Sequence, residues 1–170
     1  MIDLILKLKT RRCEKRRPRK QLTEYSRVNR VTVLCDLADF EVVDGMVRGL
    51  EADGKEVRVW SFSELTDSGL ELPAAWKVLN NKQLNFFFVP GKELMAEFAG
   101  FDSELLLDLS RRPNPVLEYL EVCSPSGFKA GFKTDRPSRY DFVLTVPEGE
   151  GDLAQNASTL LFYLKGLRLK

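Results

Sequence analysis

Apolar residues recur along this chain with two different periods, and the switches between them predict its elements. Val31-Thr-Val-Leu-Cys-Asp36 is a short, β-branched and nearly continuous apolar run, the pattern of a strand buried on both faces. Phe40 to Asp53 then carries Val43, Met46, Val47 and Leu50 at helical spacing, with Asp39 placed as an N-cap and Gly54 as the stop. Glu56 to Phe62 reads as a second strand. Strand, helix and strand within about 32 residues make a βαβ unit, whose strands run parallel and whose connection is right-handed.

The alternation continues downstream. Ser63 to Lys82, with Gly69 and Pro73, is irregular and predicts a segment wrapping an edge or end of the sheet. Leu84 to Val89, containing Phe86, Phe87 and Phe88, reads as a strand or an aromatic loop, buried in either case, and Pro90-Gly91 closes it with a turn. Lys92 to Ala99 predicts a short helix, Glu104 to Ser110 a strand, and Asn114-Pro115 the cap and first turn of a helix reaching Cys123. Gly127 to Phe132 and Tyr140 to Val146 read as two strands joined by a polar, hairpin-like turn, and Asp152 to Lys165 as the last helix. The fold class is α/β: a Rossmann-like, predominantly parallel sheet with helices on both faces.

A different kind of segment precedes this body. Residues 2 to 17 predict a helix with Ile2, Ile5 and Leu6 near one face, whose second half is crowded with bases until Pro18 stops it. A polar, basic connector follows to Asn29. The expected division is a basic arm and linker over residues 1–30 and a single α/β domain over 31–170. Charge sharpens that boundary. The chain's 26 bases and 25 acids leave a formal +1, but residues 1–30 hold eleven bases and three acids, net +8, leaving fifteen against twenty-two, net −7, for the rest.

Several classes of function drop out. Cys13, Cys35 and Cys123 are odd in number and widely spaced, which predicts neither a disulfide framework nor a zinc site and points to a reducing cytoplasm. The apolar start ends at Lys7, too early for a secretory signal, and no run approaches about 18 apolar residues. The chain has no histidine, so an enzyme would have to rely on carboxylates or a lysine. No glycine-rich phosphate loop of either common type occurs. No cofactor and no metal are expected.

Two places outside the arm hold candidate chemistry. Asp36, Asp39, Asp108 and Ser110 come from the carboxyl ends of predicted parallel strands, where doubly wound sheets bind ligands. As a site they would serve a metal or a sugar-like hydroxyl; as structure they are helix caps and solvated loops, the simpler reading. Lys129, Lys133, Arg136 and Arg139 form a second basic cluster around the last predicted turn, suited to phosphate backbone or to solvation of a sheet edge.

The arm is the informative feature. Lys7, Lys9, Arg11, Arg12, Lys15, Arg16, Arg17, Arg19 and Lys20 surround any helix that carries them, whereas a helix lying on a membrane needs a broad apolar face along its whole length. Five of the nine are arginines, whose planar forks suit phosphate contact and base stacking. RNA therefore ranks above lipid as the partner.

The motifs Leu-Leu-Leu-Asp-Leu-Ser and Asn-Pro-Val-Leu-Glu-Tyr-Leu, then Gly-Phe-Lys-Ala-Gly-Phe, between Glu104 and Phe132 resemble a family of small proteins of Bacteroidota bacteria. The basic N-terminal helix, the Phe-rich segment before Gly91-Lys92 and Tyr140-Asp-Phe-Val-Leu extend the resemblance over most of the chain. It implies a bacterial cytoplasmic protein and assigns no reaction. The arm adds a likeness to lineage-specific proteins of the large ribosomal subunit, which implies rRNA and neighbouring proteins as partners. The same stretch is similar to the N-terminal half of heptosyltransferase-like GT-B glycosyltransferases, but without a second half to hold a nucleotide sugar the likeness implies shared fold rather than transfer. The expected function is that of a non-enzymatic RNA- or ribosome-associated protein. Two alternatives stay open: a small Rossmann-like enzyme or ligand-binding domain using the strand-end acids, and a peripheral membrane-surface protein anchored by its amphipathic N-terminus.

Overall fold

The expected βαβ unit is present in the computed structural model, which describes residues 24–64, 69–132, 139–146 and 151–168. Strand β1 (Arg30–Asp36), helix α1 (Phe40–Ala52) and strand β2 (Glu56–Phe62) fall within a residue of the sequence-based bounds. Next come β3 (Trp76–Leu79), α2 (Lys92–Gly100), β4 (Leu105–Asp108), α3 (Pro115–Cys123), β5 (Phe128–Phe132), β6 (Phe142–Leu144) and α4 (Leu153–Gly166). The six strands form one sheet in the order β3-β2-β1-β4-β5-β6, and every neighbouring pair is parallel. This is the Rossmann-like α/β arrangement, with its reversal of strand order between β1 and β4.

Strand alternation divides the core into two layers. Val31, Val33 and Cys35 of β1, with Val57, Val59, Leu105, Leu107 and Ala130, face α1 and α4, which contribute Val43, Val47, Leu50, Leu153, Leu160 and Leu164. Leu34, Trp60, Leu79 and Leu106 face the other way, against Phe98 of α2 and Val116, Leu117 and Leu120 of α3. Both faces are covered, which is why β1 and β4 read as continuous apolar runs. At the amino ends of the strands, Thr32, Ser103 and Ser126 hydroxyls join in a buried chain with 2.7 Å links, and Ser124 extends it at 2.9 Å.

Three expectations need correction. The first concerns the stretch read as irregular, which contains β3. Its Trp76 indole donates to Asp44 of α1 at 3.2 Å and packs on Phe40, so contacts far away in sequence hold a strand only four residues long. The second concerns Phe86 and Phe88, expected to be buried, which are 79% and 45% exposed on a turn rather than a strand.

The third is the hairpin-like turn before β6. Since β5 and β6 run parallel, the nine residues between them form a crossover, where such connections usually need a dozen or more with a helix. Side chains at its described end tie it to the body. Arg139 reaches α3, with Nη1 3.6 Å from Glu118 Oε2, while Asp141 exchanges two hydrogen bonds with the Lys129 backbone at 2.7 and 2.8 Å. The Tyr140 ring lies against Gly131 so closely that a Cβ there would be 2.8 Å from Tyr140 Cε1 and 3.0 Å from the Asp108 carbonyl oxygen. Gly131→Ala is expected to destabilise the fold by roughly 1–3 kcal/mol through this overlap. Urea denaturation checks it, as a lower midpoint at unchanged slope.

Candidate functional site

The reversal of strand order puts the carboxyl ends of β1 and β4 side by side, with Leu34 paired to Asp108. The chain leaves β1 at Asp36 through a short 3-10 turn, Leu37–Asp39, and leaves β4 through Leu109, Ser110 and Arg111. The four strand-end residues singled out from sequence therefore do converge here. Each is engaged from within the protein. Asp36 Oδ2 accepts the Arg111 backbone N–H at 3.2 Å, and Asp39 accepts the Arg111 guanidinium through Nε at 3.2 Å and through Nη2. Asp39 occupies the N-cap position of α1, yet its side chain makes no capping bond, because the guanidinium takes it instead. The Arg111 pKa is held above its ordinary value, chiefly by that bond.

Asp108 is buried more deeply. Its Oδ1 accepts the Ser110 N–H at 3.0 Å and the Ser110 hydroxyl at 2.5 Å, and its Oδ2 accepts the Tyr140 hydroxyl at 2.7 Å. Burial pushes the Asp108 pKa up against the opposing pull of these donors. An open groove of about 350 Å³ lies alongside, lined by Asp36, Leu37, Ala38, Phe62, Ser63, Leu70 and Arg112. It opens beside β1 and β2, and Asp108 is not part of its wall. Among the described residues no cluster of three or more acids or cysteines could hold a metal ion.

The second basic cluster gives two of its members to the interior. Alternation along β5 turns Lys129 inward beneath α3, where it is 1% exposed; its ammonium donates to the Glu121 backbone carbonyl and stands 3.5 Å from Glu121 Oε1. Arg139 is buried too, with Nη1 3.8 Å from Glu121 Oε2. Lys129 and Arg139 are therefore inward members of a charged cluster under α3, and Lys133 and Arg136 lie outside the described residues. Burial lifts the Glu121 pKa to about 7, with Lys129 and Arg139 pulling it down and Asp108 adding to the rise.

The nine arm bases, Lys7 to Lys20, also lie outside the described residues. The chain just after them is well anchored. Tyr25 donates to Asp53 at 3.0 Å, its ring faces the ammonium groups of Lys55 and Lys165 at 4.7 and 5.4 Å, and Lys55 reaches the Tyr25 and Val28 carbonyls at 3.0 and 2.6 Å. Lys165 pairs with Asp53 at 2.6 Å, which with the Tyr25 bond holds the Asp53 carboxyl below its usual range. This knot marks the amino end of the sheet. Cys35 is free and buried, whereas Cys123 is disulfide-bonded, which the cysteine spacing did not anticipate. No helix among the described residues is long and apolar enough to cross a membrane.

Fold and site together define a Rossmann-like α/β domain whose switch point is occupied by its own arginine. The chain belongs to the family of unknown function DUF6913, whose family model matches residues 3–167 and so takes in the basic arm as well as the body. No curated protein and no solved structure matches it.

The buried cluster makes a pH prediction. The folded protein keeps a proton on Glu121 up to about pH 7, whereas the unfolded chain releases it near 4.5. The native state thus binds more protons inside that window, and stability falls as pH rises through it. Glu121→Gln should abolish this fall, which is on the order of 3 kcal/mol, while the contribution of Asp108 stays common to both proteins. Urea denaturation at a series of pH values measures it, and equal slopes in wild type and variant would count against the assignment.

Proposed function

We propose that this protein is a non-enzymatic RNA-binding protein of the cytoplasm, associated with the ribosome, whose basic arm contacts phosphate backbone while the α/β body docks on RNA or protein. The carrying observation is the charge of the arm: nine bases between Lys7 and Lys20 on a chain whose remaining 140 residues, from Val31 onward, are net −7. Such a body is repelled from bulk RNA unless the arm guides it, which favours one oriented docking mode over general stickiness. The arm falls inside the family match, so the family is defined with it.

The state of the switch point favours this reading over the ligand-binding one. Asp36, Asp39 and Asp108, which an enzyme would need at the strand ends, are taken up by Arg111, Ser110 and Tyr140. The anchored root fits the same picture, because a fixed origin at Tyr25 limits where the arm can reach.

Sedimentation of a cell lysate through sucrose gradients tests the proposal. At low salt the protein should travel with ribosomal particles, and at high salt it should return to the top. Replacing Arg11, Arg12, Arg16 and Arg17 by alanine should flatten the log-log dependence of RNA affinity on salt by about 0.7–0.9 for each phosphate no longer neutralised. Recovery of the wild-type protein only at the top of the low-salt gradient would overturn the ribosome assignment.

A further inference from the structure

The turn between β3 and α2 exposes Phe86 and Phe88, with Phe87 half-buried between them, under unusual backbone control. Asn85 organises it: its Oδ1 accepts the Phe87 and Val89 N–H groups at 2.9 and 3.2 Å, its own N–H donates to Val89 O at 2.9 Å, and Phe88 N–H donates to Asn85 O at 2.9 Å. Leu84 and Pro90 close the base as an antiparallel bridge. Phe88 has φ +57°, a left-handed conformation that glycine adopts freely and a bulky side chain does not. Phe86 is 79% exposed, and its ring meets Phe87 edge to face at 5.5 Å. The fold therefore holds apolar rings outward on a strained, firmly bonded turn. Lys82 and Lys92 flank it, both exposed and neither ion-paired among the described residues.

We propose that the turn Asn85–Val89 is a stacking platform for unpaired RNA bases, with Lys82 and Lys92 holding the flanking phosphates. The inference rests on the RNA-binding reading and adds to it a place on the body and a preference for single strands. Rings that stack with bases, cations beside them and spare hydrogen-bond donors are what single-stranded recognition uses. The amide NH2 groups of Asn80, Gln83 and Asn85 supply such donors, since their oxygens alone are used in the turn. Burying that amide-rich border in a bilayer would strip it of water without replacement. Two exposed rings are also too little surface for a stable protein interface, which needs about 800 Å² per partner. One or two bases match the size. The platform follows the carboxyl end of β3, whereas the arm joins at the amino end, so a bound RNA meets the two contacts separately.

The test uses the full chain, a fluorescein-labelled 12-nucleotide oligouridine and a duplex of equal length, read by anisotropy over a salt series. Phe86→Ala should weaken single-strand binding about tenfold without changing the salt slope, leave duplex binding unaltered, and leave thermal unfolding unchanged; Phe86→Trp should restore affinity. Wild-type and Phe86→Ala proteins binding the single strand equally, or weakening on the duplex to the same degree, would overturn the platform while leaving the arm's RNA binding intact. Absence of wild-type binding to either probe would instead overturn the RNA reading itself. A loss by Phe86→Ala confined to phosphatidylcholine–phosphatidylglycerol vesicles would reassign the turn to a lipid surface and end the proposal.

Discussion

A carboxylate buried at the end of a central strand must be satisfied from inside the protein, and Asp108 is where this fold meets that demand. Its two oxygens draw in Ser110 from the loop after β4 and Tyr140 from the crossover before β6. An orphaned carboxylate in such a place would cost several kcal/mol. The Tyr140 contact in turn needs the ring to lie on bare backbone, which Gly131 provides. One buried acid thereby ties the loop after β4 to the residue that leads into β6.

The same economy shapes the charge of the molecule. Glu121, Lys129 and Arg139 are spent inside, beneath α3, and Arg111 is spent at the strand ends on Asp39. Cations that look available in sequence are thus partly committed to structure. Among the described residues, cations left exposed include Lys82, Lys92 and Arg112.

Legibility from sequence followed the range of the interactions. Strand β1 and helices α1 and α3 were readable because their causes are local: an apolar run, helical spacing, and an Asn114 side chain that accepts the Val116 and Leu117 N–H groups. Strand β3 was not, since Trp76 gains its partner 32 residues upstream. Arg111 escaped notice for the same reason, its acids lying 72 and 75 residues away. The inward turn of Lys129 carried a local signal, a lone cation at an inward position of Phe-Lys-Ala-Gly-Phe, but its nearness to Lys133 and Arg136 drew it into the wrong group. For the phenylalanines, hydrophobicity argued for burial, and nothing in composition discloses that an Asn-centred turn presents the rings outward. The convergence of Asp36, Asp39, Asp108 and Ser110 was legible from topology alone. Their occupation by the protein's own donors was not.

Strand β6 is three residues long, none of them fully buried, and it forms one edge of the sheet. Beyond its ladder to β5, its hold on the body comes through single side chains: Asp141 on Lys129, Tyr140 on Asp108, and Phe142 against Tyr163 of α4 at 6.2 Å. Such an edge forms a small cooperative unit whose opening free energy lies well below that of the central strands. Because Tyr140 travels with it, each opening of the edge also bares Asp108 to water. A buried acid at the centre of the sheet is thus guarded by a thinly held edge, and proton exchange there follows the breathing of the rim.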